Sequence, residues 1–337
     1  MLVLSDLQGY RPDPLKPLVM AIGNFDGVHR GHGKLLDRVT GRAKALGGNA
    51  AAFTFRDHPQ HILHPSSKPP LLTSVEHKLF LLEQAGLNLC FMLPFTPEFS
   101  HLEPEIFVQD LLVSRLGVRE LYLGHNARFG RDRKGDASMM RELSLKHGFV
   151  FGEIAQEEEG GRPVSSSRIR ELIREGRLEE AETCLGRPFS VFGRVVRGDD
   201  RGSGIGFPTA NFEIASEILP PFGVYPVRVR EMTTSQVTSG VQGVRSLKVG
   251  PGGWQEGVLN YGYRPTFHLA DQKAVPEVHL LDFDGNLYGK DFEIVFYPRI
   301  RGEIAFSDVE ALKNQIETDI RRVRKVLARG SKALRGE

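Results

Sequence analysis

The stretch Leu18-Val19-Met20-Ala21-Ile22-Gly23-Asn24-Phe25-Asp26-Gly27-Val28-His29-Arg30-Gly31-His32 decides how the first half of this 337-residue chain is read. Five apolar residues in a row read as a buried strand, and Leu35, Leu36, Val39, Ala43 and Leu46 follow at helical spacing. A strand that turns through glycines into a helix brings backbone N–H groups, and the positive end of a helix dipole, against an anion. His29 and His32, three positions apart, are predicted on one face of the first helical turn, pointing back toward the glycines. Two donors converging there suit attack on the α-phosphorus of a nucleoside triphosphate, where charge builds on non-bridging oxygens and on the departing pyrophosphate. Either histidine alone would read as a cap or a surface residue. The pair, with Gly23, Asn24, Phe25, Asp26 and Gly27 in the turn, reads as a phosphate site.

Outward from that turn, the runs Ala50 to Phe55, Cys90 to Leu93 and Glu120 to Leu123 read as further strands separated by helical stretches. Strand and helix in alternation predict an α/β unit with a doubly wound parallel sheet. A basic helix after Ser165 is expected to stop at Gly176, and a second, Leu178 to Leu185, at Gly186. The domain boundary is therefore expected near Gly186 to Pro188, dividing the chain into residues 1–186 and 187–330. Beyond it, Val191 to Val196, Gly223 to Val229, Val258 to Tyr261, Val275 to Phe283 and Phe292 to Phe296 are closely spaced strands, the pattern of a small closed barrel. Glu231 to Gly257 reads as a surface loop. A C-terminal helix with a Ser307/Glu310 capping box and the stripe Val309, Leu312, Ile316, Ile320 and Val323 is expected to pack on the barrel.

Forty-four Lys and Arg against 42 Asp and Glu leave a charge of +2 spread along the chain, which argues against nucleic acid as a partner and for small molecules. Cys90 and Cys184 are far apart in apolar surroundings, giving no disulfide framework or metal-ligand spacing. Asp6 and Asp13 stand where a secretory leader would be basic, and no apolar run is long enough for a bilayer. A cytoplasmic protein, monomeric or weakly homo-oligomeric and without membrane contact, is the expectation.

Two further segments have phosphate-binding character. Ser165-Ser166-Ser167-Arg168-Ile169-Arg170 places hydroxyls and two arginines at a helix start, although alone it reads equally as an ordinary serine cap with solvated arginines. No Gly-x-x-x-x-Gly-Lys-Ser/Thr loop is present in the sequence. The other cradle is the run from Gly198 through Gly202, Gly204 and Gly206 to Pro208-Thr209-Ala210-Asn211, a flexible loop ending in a polar corner. Thr209 and Asn211 there offer the hard oxygens that Mg²⁺ accepts. In the strand Val275 to Phe283, alternation sets Glu277 and His279 on one face and Val278 and Leu280 on the other. Glu277 can then take the proton of a hydroxyl under phosphorylation, a service worth on the order of 10²–10⁴ in rate. A structural ion pair to a neighbouring Lys or Arg is the competing reading.

The His-x-Gly-His turn, the Ser-Ser-Ser-x-Ile-Arg helix start and the glycine-rich loop Gly124 to Asp136 resemble the adenylyltransferase half of bacterial bifunctional riboflavin kinase/FAD synthetases. The family pattern Gly-x-Asp-Phe-x-Phe-Gly is here Gly124-His125-Asn126-Ala127-Arg128-Phe129-Gly130, so Asn126 offers a hydrogen bond in place of a carboxylate and Ala127 no aromatic face. Gly206-Phe207-Pro208-Thr209-Ala210-Asn211 is similar to the riboflavin kinase signature. Pro221 to Tyr225, Asn260 to Phe267, and Glu277 to His279 running to Leu287-Tyr288-Gly289 match it in order. The resemblance extends over nearly the whole chain. It implies ATP as co-substrate, Mg²⁺ as cofactor, riboflavin converted to FMN by the barrel, and FMN converted to FAD by the N-terminal half. It also implies Glu277 as general base; Asn126 and Arg128 are read as contacts to nucleotide phosphate, and Arg299 and Arg301, which precede the last helix, as phosphate or flavin ligands, for which solvated surface positions are the alternative. A kinase with a disabled adenylylation site, and a flavin-binding regulator without turnover, are the alternatives to the full pair of activities.

Overall fold

The apolar run at the centre of the first half forms the second of six parallel strands. These are β1 (Leu2–Leu4), β2 (Leu18–Ile22), β3 (Asn49–Phe55), β4 (Leu89–Leu93), β5 (Val118–Gly124) and β6 (Val150–Ile154), paired in the order β1-β4-β3-β2-β5-β6. The computed structural model describes residues 1–63, 66, 68–197, 206–216, 218–235, 244–263 and 274–330. They fall into two compact units, one within Met1–Leu71, Val75–Ser166 and Ser235–Ser246, the other within Leu72–Ser74, Ser167–Thr234 and Leu247–Glu337.

In the first unit the helices are α1 (Arg30–Leu46), α2 (Pro59–Leu63), α3 (Val75–Gln84), α4 (Pro97–Ser100), α5 (Pro104–Ile106) and α6 (Ala137–His147), and α5 runs on into a π-helical stretch, Phe107–Arg115. Val19, Ala21, Ala52 and Met92 face Leu36 and Val39 of α1 and Leu82 of α3. On the opposite face, Met20, Phe53, Phe91 and Leu121 pack with Leu112, Leu116 and Met140. Covering a parallel sheet on both faces is what makes its strands read as unbroken apolar runs. Strand order reverses between β2 and β5, and in folds of this kind ligands bind in the crevice beyond the carboxyl ends of the strands at that point.

Among the polar groups buried in this unit is a carboxylate. Glu120, 2% exposed, receives the Arg42 fork at 2.9 and 2.6 Å and the Tyr122 hydroxyl at 2.8 Å. Gly152 makes room for Tyr122, since a Cβ there would lie 2.4 Å from the ring. The Arg42 hydrogen bonds, helped by Tyr122, hold the Glu120 carboxyl below the usual range against the opposing pull of desolvation.

A short hairpin, β7 (Glu158–Glu159) and β8 (Arg162–Pro163), turns at Gly160 and Gly161, whose φ of 58° and 68° suit the left-handed positions of a tight hairpin turn. It leads to α7 (Ser166–Arg174) and α8 (Leu178–Leu185), the latter closed by Gly186 at φ 78°.

In the second unit, β9 (Ser190–Val196), β10 (Ala210–Ile214), β11 (Gly223–Thr234), β13 (Gln255–Tyr263), β14 (Ala274–Leu280) and β15 (Asp291–Phe296) form an antiparallel barrel in the order β11-β13-β14-β10-β9-β15. The barrel closes by pairing β15 back to β11. A three-residue strand, β12 (Leu247–Val249), extends the outer end of β11. The segment expected to be a loop from Glu231 therefore begins as strand. Leu247 to Val249 within it form β12 and Gln255 to Gly257 begin β13; ahead of it on β11, Arg228 pairs with Glu256 and Arg230 with Glu293, with Arg230 stacked 4.4 Å over Trp254. The expected polar corner at Asn211 is likewise inside a strand, β10. Strand β14 stops at Leu280 rather than Phe283, because Asp282 turns at φ 55°.

Helix α9 (Val309–Gly330) buries Val323 and Leu327 against Leu281, Val295 and Tyr297, as the stripe predicts, although Val309 is exposed. Its cap is Asp308, whose carboxylate accepts from the Ala311 amide at 2.8 Å, in place of the expected Ser307, which donates to Asp308. Among the described residues no helix is long and apolar enough to cross a membrane.

The Glu120 carboxyl gives the fold an acid limit. A group whose folded pKa is depressed stabilises fully above its unfolded value, about 4.3 for glutamate, and that contribution is lost as pH falls through the folded value. Thermal melts from about pH 7 to about pH 3 are expected to show the parent's Tm falling more steeply in the acid range than that of Glu120→Gln, which starts lower at neutral pH.

Candidate functional site

At the carboxyl end of β2 the chain makes a turn that most residues avoid. Gly23 N–H donates to the Phe53 carbonyl at 3.1 Å, Phe25 adopts φ 49°, Gly27 φ 82° and Val28 φ 37°, and the Val28 amide donates back to Phe25 at 3.3 Å. The reversal drives the Phe25 ring into the core, where it is fully buried against α1. A Cβ at Gly23 would meet that ring at 3.2 Å, so a larger residue there would make the ring give by a few tenths of an ångström. Asn24 and Asp26 are braced from outside the turn. The Asn24 carbonyl accepts from Thr54 at 3.3 Å, its amide meets His58 Nε2 at 3.4 Å, and the Asp26 carbonyl accepts from Ser166 Oγ at 2.9 Å.

His29 is the N-cap of α1 rather than a member of its first turn, and its Nδ1 accepts from the His32 amide at 3.3 Å. The two imidazoles stack, centroids 3.7 Å apart at 14°, with the Phe25 ring set edge-on to His32 at 5.2 Å. The sequence expectation of two rings at one turn is met in place but not in detail, since stacking follows from the cap position. A ring nitrogen that accepts carries no proton, so a neutral His29 holds its proton on Nε2.

The loop after β5 is ordered by its own pairs. Asn126 Nδ2 donates to Gln156 at 3.1 Å and Arg128 to Asp136 at 2.9 Å. Asp136 caps α6 through the Met139 amide, which holds its carboxyl below the usual range. Phe129 and Gly135 exchange backbone hydrogen bonds, and the Phe129 ring lies 5.9 Å from Phe107. Ser165 and Ser166 stand at the start of α7, followed on that helix by Ser167, Arg168 and Arg170, of which Arg170 is buried.

In the barrel, Glu277 on β14 pairs in register with Asn211 of β10 on one side and Asn260 of β13 on the other. Residues directly opposite in antiparallel strands share a face, so a carboxylate sits between two carboxamides. The alternation expected from sequence holds, with Val278 and Leu280 buried on the other side. His279 Nδ1 lies 2.8 Å from the Pro208 carbonyl and so donates to it, with Phe207 edge-on at 5.6 Å. Pro208 and Thr209 thereby line a cleft of about 360 Å³, floored by Val195, Ala210 and Val278 and rimmed by Asp284, Asn286 and Tyr288. Gly206 is described and adopts φ 91°. Gly198, Gly202 and Gly204, and the Arg264 to Phe267 part of the kinase signature, lie outside the described residues.

Arg299 donates to the Phe222 carbonyl at 2.9 Å, and Arg301 grips buried Asp319 of α9 at 2.9 and 2.7 Å. These contacts tie the segment before α9 to the Phe222 carbonyl and to the helix. Sequence reading missed Glu157, on which Arg30 and Lys34 converge, and the cleft-rim residues 284–286. No local pattern marks a glutamate paired with a helix 127 residues away.

A doubly wound parallel unit with a glycine turn at its switch point, on one chain with a closed barrel, defines a two-part nucleotide-handling protein. Residues 12–168 match the FAD synthetase family and residues 185–327 the riboflavin kinase family. The bifunctional riboflavin kinase/FMN adenylyltransferase of Escherichia coli K12 is 34% identical over 319 residues, 95% of this chain and 96% of that protein. Those of Pseudomonas fluorescens (34%; 97% and 98% covered) and Bacillus subtilis (35%; 89% and 90%) are similarly near. A crystal structure described as a macrolide-efflux protein from Streptococcus pneumoniae shares the fold, with a TM-score of 0.78 at 24% identity over 96% of this chain and 98% of that one. The chain belongs to the bifunctional riboflavin kinase/FMN adenylyltransferase family, and each of the two activities has its matching segment.

The left-handed turn is a point of measurable strain. Gly27→Ala is expected to destabilise the first unit by about 1–2 kcal/mol. Gly27→Asn should cost less, since asparagine tolerates that region. Chemical denaturation of the two variants checks the order.

Proposed function

We propose that the first unit transfers an adenylyl group from ATP to FMN at the β2 turn, and that the barrel phosphorylates riboflavin with ATP beside Glu277. The observation that carries this reading is that each family match contains its own polar constellation: stacked histidines on a helix N-terminus in one, a carboxylate between two asparagines in the other.

In adenylyl transfer, an FMN phosphate oxygen attacks the α-phosphorus of ATP and pyrophosphate leaves. His29 and His32, with the turn Gly23, Asn24, Phe25, Asp26 and Gly27, meet the charge that develops there, and no covalent intermediate on the protein is needed. Ser165, Ser166 and Ser167 with Arg168 and Arg170 are assigned to the leaving pyrophosphate. Asn126 and Arg128 are assigned to nucleotide contact, each exchanging its present partner, Gln156 or Asp136, for substrate.

In the kinase reaction the riboflavin hydroxyl attacks the γ-phosphorus and Glu277 accepts its proton. Asn211 and Asn260 flank that carboxylate and hold it in place. The cleft beside Thr209, with an apolar floor and a polar rim, suits the ATP base and ribose. The glycines from Gly198 to Gly206 are assigned to its phosphates.

Thr209 and Asn211 fit Mg²⁺, which takes a few protein oxygens and fills its shell with phosphate and water. Among the described residues no group of three or more His, Cys, Asp or Glu is placed to hold a metal alone. When bound, the ion supplies charge neutralisation on the transferring phosphates.

A boundary at residues 186/187 is supported by the left-handed Gly186 and by the kinase match beginning at 185. We read the chain as a cytoplasmic enzyme, monomeric or weakly self-associating, whose partners are small molecules; its near-balanced charge and two buried thiols support this.

His29→Ala with His32→Ala is expected to abolish FAD formation while FMN formation survives. Glu277→Gln is expected to stop FMN formation while FAD still forms from supplied FMN. Chromatography of flavin products decides both, and equal loss of the two activities in either variant contradicts the assignment. Chelation of Mg²⁺ is expected to halt FMN formation, with recovery on adding the ion back; turnover in excess chelator would remove Mg²⁺ from the reading.

A further inference from the structure

Helix α1 begins without an acidic residue in its first turn and with two cations, Arg30 and Lys34, near the positive end of its own dipole. Cations there are unfavourable. The compensating charge comes from the β7–β8 hairpin. Glu157, 7% exposed, takes Arg30 at 2.5 Å and also Lys34, while Glu159 takes the other Arg30 nitrogen at 2.6 Å.

The same glutamate abuts the histidine turn. A Cβ on Gly31 would lie 3.3 Å from the His29 ring and 3.7 Å from Glu157 Cβ, so the backbone at Gly31 is threaded between them. The Glu157 carbonyl accepts from the Val164 amide at 2.8 Å, closing the base of the hairpin, and two residues on Ser166 Oγ reaches the Asp26 carbonyl at 2.9 Å. The hairpin is thus tied to the turn at both ends, by charge where it begins and by a neutral hydrogen bond where it leaves. A carboxylate desolvated beside two cations is weak evidence for stability in itself, which leaves geometry as its contribution.

We propose that Glu157 is a positioning residue for adenylyl transfer: by seating Arg30 and Lys34 it fixes the depth of the His29 turn and its spacing from Ser165 and Ser166. It withholds both cations from substrate and leaves the helix N-terminus to the phosphates. The inference rests on the site reading above.

The test uses the full chain, with FAD formation from FMN and ATP and FMN formation from riboflavin and ATP measured on the same preparations. Glu157→Gln is expected to lower kcat for FAD formation by about tenfold or more, the scale of a small misplacement of reacting groups, with FMN formation unchanged. Glu157→Asp is expected to recover part of the rate. Arg30→Met combined with Glu157→Gln is expected to be no worse than the more damaging single change, because the two act as one unit. A kcat within about twofold of the parent in the Gln variant, or additive losses in the double variant, overturns the proposal. If the Gln variant does not fold, Glu157→Asp and Arg30→Lys carry the test, and parental kcat in both overturns it. His29→Ala with His32→Ala separates the two levels: retention of FAD formation there defeats the site reading itself. Loss there beside an unaffected Glu157→Gln defeats this inference alone.

Discussion

Burial of the Phe25 ring is the interaction on which the histidine turn depends. Holding Phe25 and Val28 in the left-handed region costs roughly 1–2 kcal/mol each, and a fully buried phenylalanine returns only about 1.5–3 kcal/mol. The two terms nearly cancel, so the turn has little margin of its own and relies on bracing from Thr54, Ser166 and the stacked histidines. A loop shaped in this way is set before substrate arrives. In the proposed adenylyl transfer its amides would need little reorganisation to meet a phosphate, which is where preorganised sites gain most.

The barrel reaches a comparable result by other means. Its carboxylate is placed by strand register, with β10 and β13 each setting an asparagine opposite Glu277. A one-residue slip in either pairing would turn those side chains to the other face, and closure through β11 and β15 blocks that slip. His279 adds a tie from the same strand to the Pro208 carbonyl, so the end of the glycine loop is fixed relative to the carboxylate.

Much of this was legible in the sequence, for identifiable reasons. Strands β2, β3, β4 and β5 are buried on both faces and stand out as apolar runs, and the helices after Ser165 end at glycines that do adopt left-handed geometry. The three-residue β1 is too short to show periodicity. Strand β10 was hidden because Pro208, Thr209 and Asn211 are residues that ordinarily make corners. The outer end of β11, Arg230 to Thr234, is mostly polar, and the partner of Arg230, Glu293, lies 63 residues along the chain. The capping of α9 went to Asp308, since a carboxylate one position nearer the helix competes better than the Ser307 hydroxyl. For the proposed sites, residue types and spacing single out the histidine pair and Glu277. The Glu157 and Glu120 pairings, which cross 127 and 78 residues, could not be seen without a fold.

The Arg230–Trp254 stack has a practical side. Trp254 is the single tryptophan in the sequence, and it lies on the barrel unit. Intrinsic indole emission from this chain is therefore a private signal of the barrel. The parallel-sheet unit is dark in that channel, and unfolding of the two halves can be followed separately by comparing fluorescence with circular dichroism, without a label or an added probe.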